Sequence, residues 1–130
     1  MNIPLRRLGT SDLQISPLGL GCWQFSKQTG LVGKYWPPLS DEDTCKIVKA
    51  SIDGGINWFD TAEIYGRGKS EQGLADALKK NGVQPGKVIV ATKWWPIGRR
   101  ASSIKRTIKR RLANLGGYPI ALHQIHNPLG

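Results

Sequence analysis

A chain of 130 residues, 39% hydrophobic and 22% charged, fits one domain and argues against two. No apolar run approaches the roughly 20 residues of a membrane helix, and the start from Met1 to Arg7 lacks the apolar stretch of a secretory signal. The net charge of +10 is local, because seven of the 19 Lys and Arg residues fall between Arg99 and Arg111.

The opening reads as a β-hairpin, with Leu5 to Leu8 and Leu13 to Ile15 flanking a turn cluster at 9–12. A short apolar strand over 17–22 follows, its glycines permitting close backbone approach. A loop rich in Gly, Pro and Trp then runs from Trp23 to Leu39. Ser40, followed by acids through Asp43, predicts a helix start. That helix carries Ile47, Val48, Ser51 and Ile52 on one face and stops at Gly54-Gly55. Ile56 to Phe59 reads as a strand ending on Asp60. A second helix starts near Ser70, turns Leu74, Ala75 and Leu78 inward, and ends at Asn81-Gly82. Val88 to Ala91 is a buried-type strand ending on Thr92 and Lys93. A third helix spans about Ser103 to Leu115, with Ile104, Ile108, Leu112 and Leu115 as its apolar stripe. Ile120 to Ile125 is a fourth strand ending on His126.

Strands alternating with helices predict a parallel sheet, either an open doubly wound sheet or a (β/α)8 barrel. Strand-end spacing favours the barrel. Asp60, Lys93 and His126 each close a strand, and each lies 33 residues after the last. Eight such units make about 260 residues, near the size of a barrel whose C-terminal rim carries catalysis. The chain holds an N-terminal hairpin, about four parallel strands and three helices of that architecture, so it is expected to be a single partial domain over residues 1–130.

Asp60, Tyr65, Lys93 and His126 on one rim would make a proton-donating site. A free tyrosine titrates near pH ~10, too high for an efficient acid at neutral pH. A neighbouring ammonium favours the phenolate, a carboxylate orients the ammonium, and an imidazole can hold a carbonyl oxygen while the phenol protonates it. Singly, each residue also reads as a cap, a strand-end charge or a turn residue. Together, at matched strand ends, they point to catalysis.

The segments Leu18-Gly-Leu-Gly-Cys-Trp23, Asn57-Trp-Phe-Asp-Thr-Ala-Glu-Ile-Tyr-Gly66, Ser70-Glu71, Ala91-Thr-Lys93 and Gln124-Ile-His-Asn-Pro128 resemble the aldo-keto reductase family. The resemblance implies a TIM barrel with Asp60, Tyr65, Lys93 and His126 as the catalytic tetrad. It also implies NADPH as hydride donor, an aldehyde or ketone as small-molecule substrate, and Gly21, Cys22, Trp23 and Asp60 beside the cofactor. Ser70-Glu71 is expected to open the second helix as a cap. His123 stands where many members have an aromatic residue and is read as packing or surface. Members hold the cofactor mainly with loops after later strands, so the chain is expected to be the N-terminal half of the barrel, inactive alone and able to self-associate through exposed edges. The alternative is a non-catalytic nucleotide-sensing or regulatory subunit of the same family.

Other chemistries fit less well. Cys22 and Cys45 form no CxxC pair and have no histidine cluster, which favours reduced thiols in a cytoplasmic setting over a disulfide framework or a metal site. Gly19-Leu-Gly21 begins like a dinucleotide fingerprint but has Gln24 where the third glycine belongs. Gly68-Lys69-Ser70 ends like a phosphate-binding loop but has Glu63 where its first glycine belongs. The basic segment 99–111 interleaves no aromatics, so it is read as the wet face of a helix and no nucleic-acid partner is expected.

Overall fold

A computed structural model describes residues 4–127 of the chain. Pro128, the last residue of the motif that starts at Gln124, and the first three residues of the opening segment lie outside that range.

The hairpin forms as expected: β1 (Arg6–Arg7) pairs antiparallel with β2 (Gln14–Ile15). Four further strands make a parallel sheet in chain order, namely β3 (Leu20–Gly21), β4 (Trp58–Asp60), β5 (Ile89–Trp94) and β6 (Leu122–Ile125). Each new strand is added beside its predecessor on one side, as in a barrel. A doubly wound sheet would reverse direction at a switch point, and the described strands have none. β3 and β6 are the sheet edges, and Ile125 on β6 is 67% exposed.

The long loop contains structure that its composition hid: a 3-10 turn over Trp23–Ser26 and a single helical turn, α1 (Gly30–Gly33). Helix α2 (Asp41–Asp53) begins where the sequence placed it, with the Ser40 hydroxyl accepting the Asp43 N–H at 2.9 Å. Helix α3 (Lys69–Lys80) has no side-chain cap, and its N-cap residue is Gly68. The expected capping role of Ser70 and Glu71 is therefore wrong. Both are fully buried, inside the first turn; Ser70 bonds to Thr61 and the Cys22 carbonyl, just past the ends of β4 and β3, and Glu71 to Thr92 of β5.

Leu74 and Leu78 of α3, Val48 of α2, and Phe59 and Val90 of the sheet are all fully buried, and with Leu115 they form the core. Each such leucine contributes about 1.5–3 kcal/mol of burial. Alternation along the strands puts Phe59 and Val90 on this helix-covered face, so their neighbours Asp60 and Ala91 turn to the other face.

Helix α4 (Ser103–Asn114) corrects the predicted stripe. Leu112 is 47% exposed, and Arg111 is buried in its place. Counting from Ile104 at 100° per residue, position 111 falls about 20° off the inward direction and position 112 about 80° off. An apolar residue was assigned a face that geometry gives to its charged neighbour.

The hairpin packs at the N-terminal end of the sheet. Asn57, just before β4, accepts the Ser16 N–H at 2.8 Å and donates to the Gln14 carbonyl at 2.8 Å, while the Trp58 indole donates to the Ser16 carbonyl. The opposite end is left free, and it is there that Asp60, Lys93 and His126 emerge.

Candidate active site

Parallel register brings the strand ends together. Gly21 is level with Asp60, Asp60 with Ala91, and Lys93 with Gln124. Residues in register share a face, so Asp60, Lys93 and Gln124 point to the side away from the core. Lys93 Nζ donates to Asp60 Oδ2 at 2.6 Å and to the Thr61 carbonyl at 3.0 Å. Gln124 Nε2 donates to Asp60 Oδ1 at 3.1 Å, so both carboxylate oxygens are engaged.

Tyr65 arrives from the loop after β4. Its ring lies under Lys93 Nζ, 5.2 Å from the centroid, and meets the His126 ring edge-on at 5.3 Å. Trp23 stacks on Tyr65 at 5.7 Å, and Trp95 meets His126 edge-on at 5.4 Å. The four sequence-assigned residues therefore form one cluster walled by two indoles.

Gly66 makes this loop possible. Its φ is +62°, and a β-carbon there would sit 2.2 Å from the Ser26 carbonyl oxygen. Only glycine allows both the left-handed backbone and the close approach. Arg67 follows at φ +54°, a strained value for a side-chain-bearing residue.

The electrostatics differ from the sequence reading in one respect. Burial raises the Tyr65 pKa above its ordinary value, reinforced by the Asp60 carboxylate and by Cys22. The lowering expected from the lysine is outweighed by burial, the Lys93 ammonium being paired with Asp60. Burial lowers the His126 pKa, and the nearby Lys93 charge adds to this, so the imidazole is neutral at neutral pH. Its Nδ1 is buried without a hydrogen-bond partner among the described residues.

The cofactor-side residues divide. Nothing lies within 4 Å of where a Gly21 β-carbon would point, so that strand end is open. Trp23 is half-buried and its indole N–H donates to the Val32 carbonyl at 3.0 Å. Cys22 does not fit the expectation. It is fully buried, its N–H donates to the Asp60 carbonyl, its thiol to the Leu20 carbonyl, and its own carbonyl accepts the Ser70 hydroxyl. Burial also raises its pKa far above the ordinary thiol range, which leaves an inert packing residue. His123 is exposed on β6, as expected of a surface position.

A buried ionic network behind the cluster was missed. Glu63 accepts the Trp95 N–H at 2.6 Å and bonds Arg99 and Arg111 through its two oxygens. Glu71 accepts from Thr92 at 2.7 Å and Asn114 at 2.8 Å, and pairs with Arg111 Nε at 3.0 Å. Arg111 thus belongs to the interior, against the reading of 99–111 as a wet face. Correct helical phase from Ile104 was the signal that could have found it. Through Glu63, the network ties the Tyr65 loop to the end of β5.

Comparison with known proteins identifies the family and the fold. The model of the Aldo/keto reductase family matches residues 17–130. An uncharacterized oxidoreductase of Mycobacterium tuberculosis is 37% identical over 115 residues, covering 88% of this chain and 34% of its own length. The holo structure of an aldo-keto reductase from Bacillus halodurans aligns with a TM-score of 0.72 at 30% identity, over 95% of this chain and 40% of that one. An aldo-keto reductase from Klebsiella pneumoniae in complex with NADPH shares the fold, with a TM-score of 0.73 at 21% identity over 97% of this chain and 40% of that one. The chain spans about a third of the curated relative's length.

Proposed function

The chain belongs to the aldo/keto reductase family of oxidoreductases, and on that premise we propose that the whole protein reduces an aldehyde or ketone to an alcohol with NADPH, this chain supplying the proton-donating side. One observation carries the reading: Asp60, Tyr65, Lys93 and His126, from four separate segments, converge at the C-terminal rim of a parallel sheet.

In this reading a carbonyl oxygen binds between the Tyr65 hydroxyl and His126. The neutral His126 donates a hydrogen bond to that oxygen and orients it. Tyr65 then gives its proton as negative charge develops there. The alkoxide that forms is more basic than a phenolate, so Tyr65 can give up its proton despite its raised pKa. Lys93, kept charged and fixed by Asp60, stabilises the phenolate that remains. Trp23 and Trp95 exclude water from the two sides.

The open space at Gly21 and the planar Trp23–Tyr65 stack suit a flat ring laid against the rim, whereas the Cys22 side chain offers no surface to it. Gly21, Trp23 and Asp60 would border the nicotinamide, which supplies the hydride when bound.

The test is NADPH oxidation with an aldehyde panel in the protein that carries this chain, compared with Tyr65→Phe. Turnover should fall by about 10²–10⁴-fold, the usual worth of a general acid, with substrate KM little changed. Unchanged turnover would overturn the assignment, and it would leave the non-catalytic alternative standing.

A further inference from the structure

Beside the catalytic cluster lies a cleft of about 410 Å³, within the size range of small-molecule sites. Arg67, Arg99, Arg110 and Arg111 line it, together with Glu63 and Trp95. We infer that this cleft binds an anionic group of a small molecule, phosphate before carboxylate. The inference deepens the reductase reading by giving one end of its substrate a charge, and it rests on that reading to this extent.

Charge accounting supports the site. Glu63 and Glu71 compensate Arg99 and Arg111, and Arg67 and Arg110 leave the cleft positive. Glu63 does not repel an anion from within it, because Oε1 accepts from Trp95 and Arg99 and Oε2 accepts from Arg111. Arg67 and Arg110 form no ion pair among the described residues and are solvent-exposed. Their donors are therefore available. Guanidinium donors match oxyanion geometry in pairs, and two unpaired guanidiniums balance a phosphate dianion.

Location supports it as well. Arg67 lies two residues after Tyr65, and its left-handed backbone at φ +54° is strain of the kind retained at functional sites. Trp95 lines the cleft and also touches His126, so the cleft and the catalytic cluster share a wall. The local excess of positive charge in the sequence, between Arg99 and Arg111, here acquires a place to act. A small concave site suits a single anionic group better than a nucleic-acid strand, which needs a track with stacking aromatics.

The experiment is a titration of the chain with inorganic phosphate by calorimetry and tryptophan fluorescence, alongside sodium chloride matched in ionic strength. Saturable binding that chloride does not reproduce is expected. Arg110→Gln and Arg67→Gly should each weaken it at least about fivefold. Arg67→Gly also relieves backbone strain, so its fold is retained. A non-saturable response, an equal effect of chloride, or unaltered affinity in both variants overturns the proposal. A second arm compares glyceraldehyde 3-phosphate with phosphate. Binding tighter by about tenfold or more assigns the site to a substrate's phosphate, and equal binding assigns it to free phosphate; either supports an anion site. Phosphate binding that persists while Tyr65→Phe leaves turnover unchanged would sink the reductase reading and not this one.

Discussion

Replacing Arg111 with methionine should cost about 3–5 kcal/mol of stability, the loss expected when one partner of a buried ionic group is removed. The guanidinium is 5% exposed and sits 2.9 Å from Glu63 and 3.0 Å from Glu71. At an effective dielectric of about 20, each contact is worth about 5.5 kcal/mol of Coulomb attraction before the desolvation of the ions is subtracted. Glu63 keeps Arg99 as a partner, so most of the penalty falls on Glu71, which is fully buried and keeps only Thr92 and Asn114. Burial already raises the Glu71 pKa, and Arg111 is the strongest influence pulling it down. Without Arg111 the folded-state pKa rises further above the unfolded value. Stability from such a group is present at low pH and lost as pH rises through the folded value. The variant's deficit is therefore largest near neutral pH and shrinks as pH falls toward about 5. Urea unfolding of parent and variant at both pH values measures this, and Glu71→Gln in the Arg111→Met background should recover part of the loss. A deficit below about 1 kcal/mol, or one equal at both pH values, would refute the assignment of Arg111 as the buried counter-ion.

Gly66→Ala should destabilise the chain by more than the ~1–2 kcal/mol of a left-handed non-glycine residue, because its β-carbon meets main chain and cannot be accommodated by a side-chain shift. Gly82→Ala, at φ +70° with nothing within 4 Å, should cost only that backbone term, and equal losses would disprove the clash. Lys93→Met in the protein that carries this chain should lower turnover by about 10²-fold or more without loss of carbonyl-substrate binding, measured by steady-state kinetics; wild-type turnover would remove Lys93 from the mechanism. An NMR titration should place His126 below its ordinary value of 6.5. A histidine with a depressed folded pKa contributes stability above its unfolded pKa that is lost as pH falls through the folded value. His126→Gln should therefore flatten the acid side of the stability profile, and a midpoint at or above 6.5 would contradict the burial seen here.

Local sequence pattern gave the order of the four parallel strands and the three long helices, the start of α2 at Ser40, and the inward residues Leu74, Ala75 and Leu78 of α3. These rest on local rules, since a cap bonds three residues away and a helical stripe repeats within two turns. The convergence of Asp60, Lys93 and His126 was also legible, because equal spacing in repeated strand–helix units places equivalent residues at one rim. Tertiary structure alone decided the rest. The inward turn of Ser70 and Glu71, the burial of Cys22 and the interior place of Arg111 depend on partners 21 to 48 residues away. A buried charge looks like a surface charge in sequence, and only the counter-charges folded around it reveal the difference. The raised Tyr65 pKa has the same origin: desolvation by neighbours outweighs the single ammonium that the sequence placed nearby, and how much water those neighbours exclude is a property of the packed fold.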